Sequence, residues 1–143
     1  MNLYVESSAV LAWLLDESSA DEVRRLLAGA DLIFTSDLTL IECSRVLIRA
    51  VVLGELNEAE AADRRAHLAN AAARWHVLHI ASEIIDRARH PFPEEPIRTL
   101  DALHLASALT ARATVTALEI LSLDERVRKS ARKLGFSLLP ART

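Results

Sequence analysis

The sequence predicts a doubly wound α/β fold, a parallel sheet of about five short strands with helices on both faces. Three observations predict it. Short apolar runs alternate with longer helical patterns along the whole chain. The runs are almost continuously apolar, as strands covered on both faces are. Glycine (3) and proline (4) are scarce among the 143 residues, which argues against an all-β protein dense in turns.

The elements follow in order. Leu3-Tyr4-Val5 reads as a buried strand. Ser7 or Ser8 can cap a helix over 9–15 that is apolar on most sides and therefore central. Ser19-Ala20-Asp21-Glu22 reads as a capping box, and Gly29 as the left-handed residue that ends its helix. Residues 31–35 form the second strand. Ser36 or Asp37 caps a helix to about Val52, closed by Gly54. Asn57-Glu58-Ala59-Glu60 opens an Ala- and Arg-rich helix to about Arg74. Residues 75–80 are the third strand, and a short helix covers 81–89. Pro91, Pro93 and Pro96 then force an irregular segment. Thr99 opens a helix through about Arg112. Residues 117–122 are the fourth strand, Asp124 starts the last long helix, Gly135 ends it, and 136–139 form the final strand. No repeat or linker divides the chain, so a single domain over 1–143 is expected. A chain of this length buries roughly 68–70% of its unfolded surface.

Composition narrows the chemistry. Seventeen basic residues face twenty acidic ones, a net charge of −3, which disfavours a broad basic face for nucleic acid. The balance is uneven. Residues 1–75 carry 7 basic and 12 acidic groups, and residues 76–143 carry 10 and 8. The single cysteine, Cys43, excludes an internal disulfide and a Cys-based zinc site. His76 and His79 fall on opposite faces of a strand, so they form no zinc pair. The glycines all fall at helix ends, so there is neither a dinucleotide-binding turn nor a phosphate-binding loop. Lys129 and Lys133, the only lysines, lie deep in the last helix, which argues against a phosphoreceiver pocket. Glu6-Ser7-Ser8 lacks the Asp-x-Asp of haloacid-type phosphotransferases. The N-terminus has no signal-peptide pattern, and no run of about 18 apolar residues exists, so a cytoplasmic location and no membrane span are expected.

Four acids remain. Open parallel sheets bind ligands beyond the C-terminal ends of their strands. Glu6 follows the first strand and Asp124 the fourth, although each alone is equally explained as a helix cap. Glu42 and Asp101 sit among apolar neighbours on helices, a costly place for a charge unless it is paired or metal-bound. Arg45 or Arg49 could pair with Glu42, and Arg98 with Asp101. As a set, four carboxylates suit a hard cation such as Mg²⁺ or Mn²⁺. One or two such metals can activate water and stabilise an in-line displacement at phosphorus.

These residues carry a resemblance. The opening Leu3-Tyr4-Val5-Glu6-Ser7-Ser8 resembles the first strand of PIN-domain ribonucleases, which ends in an acid followed by small hydroxyl residues. Thr39-Leu40-Ile41-Glu42 resembles the family's Glu-bearing helix, Leu100-Asp101-Ala102-Leu103-His104 its central block, and Leu121-Ser122-Leu123-Asp124 its last acidic block. All four occur in order. Size and the lack of a fused domain resemble the VapC toxins of toxin–antitoxin pairs.

The resemblance implies a PIN-like three-layer α/β/α domain and a Mg²⁺- or Mn²⁺-dependent endoribonuclease. Glu6, Glu42, Asp101 and Asp124 would hold the metal, with Ser8 and Ser122 supporting the site. It also implies a homodimer and a VapB-like antitoxin, with DNA bound only through that antitoxin. Arg126, Lys129 and Lys133 lie on the last helix, whose buried stripe is Val127, Ala131 and Leu134, so its basic groups, Arg128 included, should face outward. They would serve as RNA-backbone contacts or as a plain solvated face. The family usually has Asp at its first acid, where this chain has Glu6. That leaves an alternative: a weakened or inactive PIN-fold protein that binds antitoxin or RNA without cutting it.

Overall fold

The computed structural model describes residues 1–142. The elements are β1 (Asn2–Val5), α1 (Ser7–Leu14), α2 (Ala20–Gly29), β2 (Leu32–Ser36), α3 (Asp37–Val52), α4 (Glu58–Ala72), β3 (His76–Leu78), α5 (Ser82–Ala88), α6 (Thr99–Arg112), β4 (Glu119–Leu121), α7 (Glu125–Lys133) and β5 (Ser137–Leu139). All strand pairs are parallel, in the order β3-β2-β1-β4-β5. From β1 the chain winds outward one way to β2 and β3, and the other way to β4 and β5. The winding therefore reverses between β1 and β4, where Tyr4 lies beside Ile120 and Val5 beside Leu121.

The central strand shows why the sheet is covered twice. Leu3, Tyr4 and Val5 are fully buried, and successive side chains point to opposite faces. Leu3 and Val5 enter a core with Val10, Leu14, Val23 and Cys43. Tyr4 enters the other, with Leu105, Ile120, Val127 and Phe136. Each such apolar side chain contributes about 2 kcal/mol by leaving water. Among the described residues no helix is long and apolar enough to cross a membrane.

Several element ends differ from expectation. Glu6, not Ser7 or Ser8, caps α1. Ser19 stands at the N-cap of α2 but its side chain makes no cap bond, so the expected capping box is absent. Gly29 is the last helical residue of α2 and is not left-handed; Gly54 (φ 74°) and Gly135 (φ 89°) are. The box at Asn57 and Glu60 is present in both directions. The third strand is shorter than 75–80. Its only partner is β2, whose last paired residue Ser36 meets Leu78, so His79 and Ile80 have no ladder to join.

Candidate active site

The strand ends at the reversal point build the site. Glu6 follows β1 directly, and its backbone N–H donates to the Leu121 carbonyl of β4 at 3.0 Å. Its carboxylate is 5% exposed yet well supplied with donors. Oε2 accepts from the Ser8 backbone N–H at 2.9 Å. Oε1 accepts from the hydroxyls of Ser8 (2.6 Å) and Ser122 (2.5 Å). Those serines are held in turn: the Leu123 N–H donates to Ser8 Oγ, and the Asp124 N–H to Ser122 Oγ. The extra methylene of Glu6 is thus accommodated by a fold back onto its own helix. Asp124 caps α7, its Oδ1 accepting from the N–H groups of Arg126 and Val127.

Glu42 is paired, but not with Arg45 or Arg49. Its Oε1 lies 2.6 Å from His104 Nε2 and accepts the Ser7 hydroxyl at 2.6 Å. A carboxylate only accepts, so Nε2 carries the hydrogen. His104 Nδ1 faces the Tyr4 hydroxyl at 3.3 Å, and that hydroxyl donates to Ser36 Oγ at 3.1 Å. The chain of polar contacts runs from a half-buried carboxylate to the middle of the sheet. Burial pushes the Glu42 carboxyl up, but the hydrogen bonds from His104 and Ser7, with the charge of His104, hold it below the ordinary carboxylate range. Burial, with the Glu42 and Glu6 charges nearby, pushes the Cys43 thiol to about 12, so it stays protonated and unreactive.

Asp101, in the first turn of α6, is the opposite case. Burial, and then the charges of Asp124 and Glu6, raise its carboxyl, and the positive charges of His104 and Arg98 offset only part of this. Asp101 therefore feels two of the other predicted acids, whereas Glu42 is tied to His104, one helical turn from Asp101. Among the described residues no three His, Cys, Asp or Glu side chains form a ready-made metal-holding group. The donor set is nevertheless all carboxylate and hydroxyl oxygen with an uncompensated negative charge, which fits a hard divalent cation rather than zinc.

The basic groups divide. Arg126, Lys129 and Lys133 are exposed on α7, as expected. Arg128 corrects the expectation for that helix: it is 2% exposed and donates to the carbonyls of Ser122, Leu139 and Pro140. It fastens the end of β4 to the end of β5, directly beside Asp124. Ser7 is the site residue that sequence reasoning missed; His104, one helical turn after Asp101, is legible as a residue that can touch a metal ligand, but its pairing with Glu42 is not. The available signal was His104 three positions after Asp101 on an otherwise apolar helix.

The comparisons with known proteins agree with the fold. The PIN domain family model matches residues 3–133. The ribonuclease VapC46 of Mycobacterium tuberculosis is 31% identical over 137 residues, covering 96% of this chain and 95% of that protein. The ribonuclease VapC35 of the same species is 30% identical over 139 residues, covering 97% and 87%. Among solved structures, Mycobacterium tuberculosis VapC20, described as a sarcin-ricin loop cleaving toxin, superposes with a TM-score of 0.65 at 18% identity, covering 99% of each chain. VapBC2 from Rickettsia felis, bound to a DNA fragment from its promoter, gives 0.65 at 12% identity, covering 96% and 97%.

Proposed function

This chain belongs to the PIN-domain family, and from that premise we propose that it is a metal-dependent endoribonuclease, the toxin of a VapBC-type pair. The observation that carries the reading is that Glu6 and Asp124 follow β1 and β4 at the reversal point of the sheet and that their charges, after burial, raise the Asp101 carboxyl. Such a group is built to receive positive charge. The names of the relatives supply the reaction class, and the solved VapBC complexes of the same fold supply the partner class, a VapB-like antitoxin. A homodimer, with DNA engaged only through the antitoxin, belongs to the same reading. The alternative of a silent PIN-fold protein gains no support from the relatives.

Mg²⁺ or Mn²⁺, when bound, would neutralise the attacked phosphate and activate water. Glu6, Glu42, Asp101 and Asp124 would hold it. The chain's own residues do the positioning. Ser8 and Ser122 fix both oxygens of Glu6 so that it cannot swing. His104 and Ser7 fix Glu42 and keep it ionised. Asp101, whose ionised form is opposed by burial and by the Asp124 and Glu6 charges, is the carboxylate that a bound cation would relieve most.

The test is cleavage of a mixed RNA pool by the purified, partner-free chain in Mg²⁺, Mn²⁺ or EDTA. Cutting is expected with metal, none in EDTA, and a loss of at least about 100-fold in Asp101→Asn. Wild-type rates in Asp101→Asn would overturn the site, and no cutting in either metal would overturn the activity.

A further inference from the structure

We propose that the cavity beside Asp101 is a phosphate subsite for the RNA strand, and that Glu94, on its wall, pairs with Lys129 as an internal stand-in for that phosphate. The inference rests on the ribonuclease reading for its substrate class. The loop between α5 and α6 and the exposed face of α7 enclose a cavity of about 390 Å³, a volume that suits a nucleotide-sized group. Arg98, Arg126 and Lys129 line it, and Asp101 of the candidate site opens into it. Three cations thus line one cavity together with Asp101.

The fifth charged group there is Glu94. Its carboxylate lies 2.8 Å from Lys129 Nζ. Hydrogen bonding to Lys129, with the charges of Lys129 and Lys133, holds its carboxyl below the ordinary range. A carboxylate and a phosphodiester offer a cation the same single negative charge and the same accepting oxygens. The backbone that carries Glu94 is fixed. Glu95 accepts from the N–H groups of Phe92 and Ile97, and Phe92 is buried beneath the Arg87 guanidinium. Among the described residues the Glu94 side chain itself is tied only through Lys129, in a partly exposed ion pair of the kind that holds weakly. A phosphate that also reaches Arg98 and Arg126 displaces it by rotation of one side chain, with no loop movement. Glu94 therefore sets a threshold: it keeps Lys129 neutralised until a polyanion with several contacts arrives.

The experiment is a double-mutant cycle on RNA binding, read by anisotropy of a labelled single-stranded RNA in EDTA, so that nothing is cut. Glu94→Gln should tighten binding about two- to fivefold. Lys129→Gln should weaken it and lower the slope of log affinity against log salt by about 0.7. In the Lys129→Gln background, Glu94→Gln should lose its effect. Superimposable melting curves establish that the variants fold. A Glu94→Gln gain of equal size with and without Lys129, which plain long-range repulsion produces, overturns the proposal, as does no gain. Intact coupling in a chain that cuts no RNA overturns the nuclease reading alone. Cutting without coupling overturns this proposal alone, and no RNA binding by any variant overturns both.

Discussion

Two aspartates and one arginine define the energetics of the site. Asp101 holds its proton more tightly in the folded chain than in the unfolded one, because burial and the Asp124 and Glu6 charges oppose its ionisation. Ionised Asp101 therefore weakens the metal-free fold, and that cost appears as pH rises through its raised folded-state value. Asp101→Asn is expected to melt at a higher temperature than wild type at neutral pH in EDTA. The difference should vanish below the ordinary aspartate value of 3.8, where both states are protonated. Thermal denaturation across pH measures it, and a variant that melts lower at neutral pH contradicts the account. Arg128 works the other way. Its guanidinium serves three backbone carbonyls in a dry place. Arg128→Ala strips those carbonyls of a charged donor, so a loss of about 2–4 kcal/mol in urea unfolding is expected. The same change should slacken Ser122, whose hydroxyl holds Glu6.

At the scale of elements, the two kinds of helix-ending glycine give opposite predictions. Gly54 has φ 74° and open space around an added methyl, so Gly54→Ala costs about 1 kcal/mol from backbone strain alone. Gly29 lies in ordinary helix and an added Cβ meets only Met1 Cε at 3.8 Å, so Gly29→Ala should stabilise by about 0.5–1 kcal/mol. Chemical denaturation of the two variants checks both signs. The pair also shows how much of the fold was legible. A glycine after a helical run marks the helix end, but whether it stands inside or one step past the last turn depends on where the next segment must go. Ala30 leaves α2 extended, straight into β2. Strand positions were legible because apolar runs stood out. Strand lengths were not, because the ladder ends where the neighbour ends. The four acids were legible one by one. Their partners were not, since Glu42 meets His104 across 62 positions and Glu6 meets Ser122 across 116. Arg128 looked like surface because its carbonyl partners belong to another strand's end.

For the whole molecule, a ligand that binds only the folded chain stabilises it by mass action. Mg²⁺ at about 100 times its dissociation constant should add about 2.7 kcal/mol to wild type. Asp101→Asn should lose most of that gain. Scanning calorimetry with and without Mg²⁺ reads both, and an equal gain in the two proteins would move the metal away from Asp101.

The sheet order has one more effect, which concerns time rather than energy. β1 is central, so the first strand to be synthesised stays unfinished until β4 arrives on its far side. Glu6 waits 116 residues for Ser122, about 6–23 s at ordinary translation speeds. Asp101 and Asp124 also come from the last third of the chain. A chain laid out this way has only part of its carboxylate set until Asp124 has been made.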